Sequence, residues 1–389
     1  MCDVEDTGTC TGCQVSANCM RFGERDLCHP GTGACVACVG SEHCTEPTAP
    51  VCGDDGTCTA CTADDQCASG LCDEASGACA AEAEIIHVDR GGGGTACTRA
   101  MPCATFADGV AAITATRRWM RVGPGDYMEP TVTLDGRTVT IVAPSAGLRP
   151  SAFDQPVLQV LNASVVQVEG LRLFSAGGDG RADGLRCQAP SGGRPRVTLI
   201  GVQIDSNAAF GIDASECDVR IERSRIAGNP GGGVSISAGS FHVTNTFIIG
   251  NGGNTPIGGV RLQDNDATSV FAFNTVADNF AANTVARALI CTSTQPQRIT
   301  SNILWGNAAP DQVSTTNCQL DHNLSNQSLS GSNNLMANPT FVAASDFHLA
   351  AGSPGIDAAD PAATLAVDFD GDTRPQGGGR DIGADEVVP

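Results

Sequence analysis

The sequence has no lysine. All 22 basic residues are arginine, set against 43 acidic ones, for a formal charge of −21. A chain this acidic is repelled by phosphate backbones and by anionic lipid, which excludes nucleic acid and membrane surfaces as partners. Aromatic residues are scarce, at 4%, with two tryptophans and one tyrosine. No apolar run approaches the roughly 18 residues that a membrane span needs. What remains is Gly, Asn, Thr and Val in short alternating stretches, the material of many short strands joined by turns rather than of a helical bundle. At 389 residues the chain has room for two or more domains, and a monomer is expected.

Cysteine is abundant where lysine is absent. Of 20 cysteines, 14 lie before residue 80. That density points to an oxidising compartment, hence an extracellular or outer-surface location. Export implies a leader. Met1-Cys2 shows neither the charged region nor the apolar core of one, so the expectation is a leader removed ahead of this chain. Residues 1–84 divide into similar units. Cys13, Cys19, Cys28 and Cys35 form the first, Cys38, Cys44, Cys52 and Cys58 the second, and Cys61, Cys67, Cys72 and Cys79 the third. Cys2 and Cys10 read as the tail of a truncated fourth. The C-x-x-C pairs at the unit boundaries admit a zinc reading. Disulfides are the stronger reading, because each unit holds an even four cysteines and too few apolar residues for a core. Four cysteines allow three pairings, and the sequence does not choose among them. Residues 1–84 also carry 15 acidic and 2 basic residues, a solubilising charge for a loop-rich stalk.

From residue 85 a strand-like segment recurs, ending at Leu173, Ile204, Ile226, Ile248, Val276, Leu304 and Leu324. A second column precedes it by five residues: Val168, Leu199, Ile221, Val243, Phe271, Ile299 and Gln319. Both should point inward, one residue per coil. Three residues past the first column stand Asn207, Asn229, Asn251, Asn279 and Asn307. Asparagines repeated at one turn can bond amide to amide along a stack, and they tolerate left-handed backbone. The expected fold is therefore all-β: a right-handed parallel β-helix over 85–325, closed by a capping helix near 105–115, with a C-terminal cap over 326–389.

This coil resembles the parallel β-helix of the pectin-lyase-like superfamily. So does its entry, with Ile86-His-Val-Asp89, Cys97, Pro102-Cys103, a helical Phe106–Ala115 and Gly123-Pro-Gly-Asp-Tyr127. The last 50 residues resemble the choice-of-anchor Q module of exported bacterial proteins. The resemblance rests on Asp346-Phe-His-Leu349, Asp368-Phe-Asp-Gly-Asp372, Arg374-Pro375 and Asp381-Ile-Gly-Ala-Asp-Glu386, with Gly355 departing from the usual alanine. These resemblances imply fold and surface location. They leave activity open, since the fold hosts lyases, hydrolases and adhesins.

Chemistry is sparse. One outward row, Arg186, Asp213, Ser235, Arg261 and Leu289, offers Arg186, Asp213 and Arg261 as carbohydrate contacts, though an Arg186–Asp213 surface ion pair explains them as well. A second row, Arg172, Gln203, Arg225, Phe247, Thr275 and Ile303, carries no carboxylate. Asp368, Asp370 and Asp372 alternate like the start of a calcium loop, but Gly371 and Gly379 depart from the hand-type pattern, and turn-forming aspartates are the competing reading. Among the later cysteines, Cys97 should pair with Cys103 around a turn. Spacings of about one coil allow Cys187–Cys217 and Cys291–Cys318. The sequence thus favours a non-enzymatic surface protein for adhesion or carbohydrate binding, with no cofactor beyond Ca2+. A polysaccharide lyase or glycoside hydrolase acting on an acidic polysaccharide is the alternative. No catalytic residue is assigned.

Overall fold

The computed structural model describes residues 12–13, 15–16, 19–20, 23, 25–178, 181–253, 256–282, 288–307 and 313–388. These form two compact units, divided between Ile85 and Ile86.

The N-terminal unit is held by covalent staples. Its strand pairs are two residues long: Leu27–Cys28 with Cys35–Val36, Val51–Cys52 with Cys58–Thr59, and Cys72–Asp73 with Ala78–Cys79. Within each cysteine unit the first residue bonds the third and the second bonds the fourth. The bonds are Cys13–Cys28 and Cys19–Cys35, Cys38–Cys52 and Cys44–Cys58, Cys61–Cys72 and Cys67–Cys79. Sulfur replaces a hydrophobic core here, since most of the buried apolar positions are themselves cysteines. Cys2 and Cys10 lie outside the described residues.

The second unit is a parallel β-helix of three sheets. Each coil contributes one strand to each sheet. The first sheet stacks Trp119–Val122, Thr138–Val142, Val165–Glu169, Arg196–Ile200, Asp218–Glu222, Ser240–Thr244 and Val270–Ala272. The second stacks Gly125–Glu129, Ala146–Pro150, Arg172–Phe174, Gln203–Asp205, Arg225–Ala227, Phe247–Ile249, Thr275–Ala277, Ile303–Trp305, Leu324–Ser325 and Leu335–Met336. The third stacks Val132–Asp135, Leu158–Leu161, Leu185–Gln188, Phe210–Ser215, Gly232–Ser237 and Val260–Gln263. The long strand Leu289–Thr300 then passes from the third sheet into the first, pairing with Val260–Gln263 and later with Val270–Ala272. Alternate side chains point inward, so each aliphatic column stacks on itself. Val168, Leu199, Ile221, Val243, Phe271 and Ile299 are fully buried, as are Leu173, Ile204, Ile226, Ile248, Val276 and Leu304.

The last turn departs from the expected register. Leu320, not Gln319, lies opposite Ile299, and Leu324 lies opposite Ile303 rather than Leu304. Leu324 therefore faces outward, where Leu349 and Ile382 of the C-terminal segment bury it. The stack also continues past residue 325, to Met336.

The asparagine column is a hydrogen-bonded ladder. Each Nδ2 donates to the next Oδ1: Asn207 to Asn229 at 3.0 Å, Asn229 to Asn251 at 2.9 Å, Asn251 to Asn279 at 3.0 Å and Asn279 to Asn307 at 2.9 Å. The left-handed backbone that this turn needs belongs to the residue before each asparagine: Ser206, Gly228, Gly250, Asp278 and Gly306. This corrects the expectation that the asparagines themselves adopt it. A second ladder, Asn274–Asn302–Asn323–Asn334, fills the turn between the first and second sheets. Its members Asn274, Asn302 and Asn323 stand three residues after the core positions Phe271, Ile299 and Leu320, a spacing visible in the sequence.

Disulfides tie neighbouring coils as Cys187–Cys217 and Cys291–Cys318, and Cys97–Cys103 closes the entry turn. The capping helix is shorter than expected, Phe106–Ala111. Thr105 caps it through the Asp108 N–H, and the buried Glu129 carboxylate accepts the Phe106 and Ala107 N–H groups at 2.7 and 3.0 Å.

The C-terminal segment packs on the outer face of the second sheet. An antiparallel hairpin, Phe341–Ala343 with Asp346–Leu349, brings Phe347 onto Phe247, Ile249 and Ala277, beside Ala384. Arg374 is fully buried and pairs with Glu386 at 3.0 Å. It also donates to the Asp381 and Gly383 carbonyls.

Candidate functional site

The row read from the sequence lies along the outer face of the third sheet, in the register Arg186, Asp213, Ser235, Arg261. Its last member is Ile290, not Leu289, which is fully buried. The sequence missed the partner that dominates this row. Asp183 is completely buried, forms an ion pair with Arg186 and accepts the Phe210 N–H at 2.9 Å. Arg186 reaches Asp213 at 3.9 Å. Arg261 donates to Ser235 Oγ at 3.2 and 2.8 Å, and its guanidinium lies 5.9 Å from the centre of the Phe210 ring. The charges of Arg186, Asp183 and Asp213 thus pair with one another. Burial pushes the Asp183 carboxyl up to about 6, against the opposing pull of Arg186. Burial raises Asp213 as well.

The row without carboxylates builds the more open site. The C-terminal hairpin folds over the second sheet and leaves a cleft of about 450 Å³. Gln203, Asp205, Arg225 and Ile249 form its floor, and Ser345 and Phe347 of the hairpin form one wall. Arg172 holds Asp205 in a two-pronged ion pair, Nε to Oδ1 at 2.7 Å and Nη2 to Oδ2 at 2.6 Å. Arg225, one coil further on, stands between Gln203 and Phe247 in the register. No carboxylate among the described residues pairs with its guanidinium. No periodicity in the coil announces this cleft, because its wall comes from a segment 96 or more residues further along the chain than its floor.

The three aspartates of the triplet have separate partners. Asp368 is fully buried, and its two oxygens accept the N–H groups of Gly371, Asp372 and Glu386 at 2.9, 2.8 and 2.9 Å. Both of its oxygens thus engage backbone N–H groups, as in a turn-forming aspartate. Asp370 turns away to His348 Nε2 at 3.0 Å. Asp372 is exposed, and its carbonyl closes the turn onto the Asp368 N–H.

Buried carboxyls should make this unit more stable as pH falls. Burial raises Asp183 and Asp381 to about 6 each. It also raises Glu129, Asp213 and Asp385. A carboxyl raised in the folded state binds its proton more tightly there than in the unfolded chain. The stability it contributes is full below its ordinary value of 3.8 and is lost as pH rises through about 6. The melting temperature should therefore rise as pH is lowered from 7.5 to 5, with a shallower slope for Asp381→Asn. A melting temperature that falls over that interval contradicts this assignment.

The chain is thus a parallel β-helix protein with disulfide-linked repeats, and no helix among its described residues is long and apolar enough to cross a membrane. No protein-family model matches the sequence, and no curated protein matches it. Among solved structures, the crystal structure of the pectate lyase Pel9A is similar, with a TM-score of 0.47 and 15% identity over 78% of this chain and 96% of that one.

Proposed function

We propose that this is an exported, non-enzymatic surface protein that binds carbohydrate in the cleft over the second sheet. The observation that carries this reading is the Arg225 guanidinium, paired with no carboxylate among the described residues, in a cleft of about 450 Å³ that mixes amide and hydroxyl groups with Ala227, Ile249 and Phe347. Sugars present apolar C–H faces and hydroxyl edges, and such a lining meets both. Export is supported by the many disulfides and by the resemblance of the C-terminal segment to a surface module. The Arg186–Asp213–Arg261 row is the less favoured contact surface, because its charges already have partners.

The test is a binding screen of neutral and acidic polysaccharides on the full chain, followed by titration calorimetry. A charge-assisted hydrogen bond is worth about 1.5–3 kcal/mol, so Arg225→Ala should weaken binding by roughly 10- to 100-fold. Arg261→Ala should leave it unchanged. Loss of binding in Arg261→Ala alone would move the site to the third sheet. New ultraviolet absorbance or reducing ends in the screen would replace the non-enzymatic reading with a lyase or a hydrolase.

A further inference from the structure

At the root of the hairpin that walls the cleft, one imidazole sits among carboxylates from three separate stretches of chain. His348 Nδ1 lies 2.5 Å from Asp346 Oδ1, and Nε2 lies 3.0 Å from Asp370 Oδ2. One ligand atom from each of His348, Asp370 and Asp385 falls within 4.8 Å of the others. Asp385 is only 7% exposed. One of its oxygens accepts the Leu349 N–H at 2.6 Å, and no hydrogen bond among the described residues engages the other. Phe247 and Phe369 pack edge-on beside the imidazole, with ring centres 5.2 and 6.2 Å away.

A neutral imidazole has a single N–H, yet both ring nitrogens here face carboxylate oxygens, which accept and do not donate. The arrangement calls for a cation at this point. A proton on the second nitrogen is one such cation, and a metal ion is the other. Three features favour the metal. Asp346 fixes Nδ1 as the donor, the second-sphere carboxylate that orients a ligating histidine and turns Nε2 toward the ion. A carboxylate oxygen of the buried Asp385 lies within 4.8 Å of the ligand atoms of His348 and Asp370. Phe247 and Phe369 cover one side of the imidazole and leave its Nε2 side, next to Asp370, open to an incoming ion.

We propose that His348 Nε2, Asp370 and Asp385 bind a divalent first-row transition metal. One imidazole nitrogen and two carboxylates suit zinc and its neighbours in that series. Calcium requires six to eight oxygens, and this cluster offers too few. Binding exchanges one cation for another: the ion takes the Nε2 lone pair, and the proton carried there is released to solvent. The bound ion joins the hairpin strand Asp346–Leu349 to the turn after Asp368 and to the segment ending at Glu386.

Zinc chloride titrated calorimetrically into the full chain at pH 7.5 should bind at one ion per chain. His348→Gln and Asp370→Asn should each weaken that binding at least tenfold. Asp370 is exposed, so its variant keeps the fold even if the histidine variant does not. Affinity should fall as pH is lowered from 7.5 to 5.5, because protons compete for Nε2. Zinc should also slow amide exchange in residues 341–349 of the parent, and calcium at equal concentration should do neither. Equal zinc affinity in the parent and in Asp370→Asn would overturn the proposal. So would displacement of zinc by equimolar calcium.

Discussion

Arg374→Met should unfold the C-terminal segment while leaving the middle of the coil intact. The Arg374 side chain has no exposed surface, and that of its partner Glu386 is 1% exposed. The guanidinium also donates to the carbonyls of Asp381 and Gly383 and lies 5.1 Å from the centre of the Phe273 ring. Glu386 in turn accepts the Gln376 and Asp381 N–H groups, and its own N–H donates to Asp368. Removing one member of a buried pair strands the other charge without water, at a cost of about 3–5 kcal/mol. A coil's end can open without its middle, so the loss should be local. Hydrogen exchange should rise across residues 346–386, while the coils around Asn229 and Asn251 stay protected. The double variant Arg374→Met/Glu386→Leu removes both charges and should recover part of the loss. Parent-like exchange in the single variant would show that the pair contributes nothing to docking.

Asn251→Leu is expected to have the second-largest effect. Asn251 Nδ2 donates to the Ile226 carbonyl at 2.9 Å and to Asn279 Oδ1 at 3.0 Å. Its Oδ1 accepts the Asn229 backbone N–H at 3.1 Å and Asn229 Nδ2 at 2.9 Å. Leucine leaves the Ile226 carbonyl and the Asn229 N–H without these partners in a dry interior. Each orphaned group costs about 1–3 kcal/mol, so the sum is several kcal/mol. Asn207→Leu should cost less. The Asn207 oxygen accepts one N–H, from Ala176, whereas the Asn251 oxygen accepts both the backbone and the side-chain N–H of Asn229. Thermal or denaturant unfolding of both variants ranks them. Equal melting temperatures for parent, Asn207→Leu and Asn251→Leu would show that the ladder is energetically silent.

The site was less legible than the coil. Arg225 stands in the row without carboxylates, and nothing in that row marks it, because its significance depends on the hairpin that roofs it. Arg186 and Asp213 were readable as neighbours, one coil apart in register. Asp183 was not, because it precedes its strand and turns inward beneath Arg186, and no repeat marks such a residue. His348 and Asp370 are 22 residues apart, and Asp385 lies 15 further on. No local spacing predicts that their side chains meet.

The amino-acid sequence by itself determined the stack. Strand alternation, the inward aliphatic columns and the asparagine spacing are all local patterns, and a parallel coil repeats them in each rung even though the step here varies between 21 and 31 residues. Local pattern failed first where that step became ambiguous. Ile299 and Leu320 are 21 residues apart, while the aliphatic ends Leu304 and Leu324 are 20 apart, so one spacing had to be wrong. Tertiary structure decided the rest: which cysteine bonds which within each repeat, that Asp368 serves a turn, and that the C-terminal segment covers the second sheet. Each depends on chain segments meeting across the fold. There the competition is between burying charge and satisfying it, and spacing along the chain does not encode the outcome.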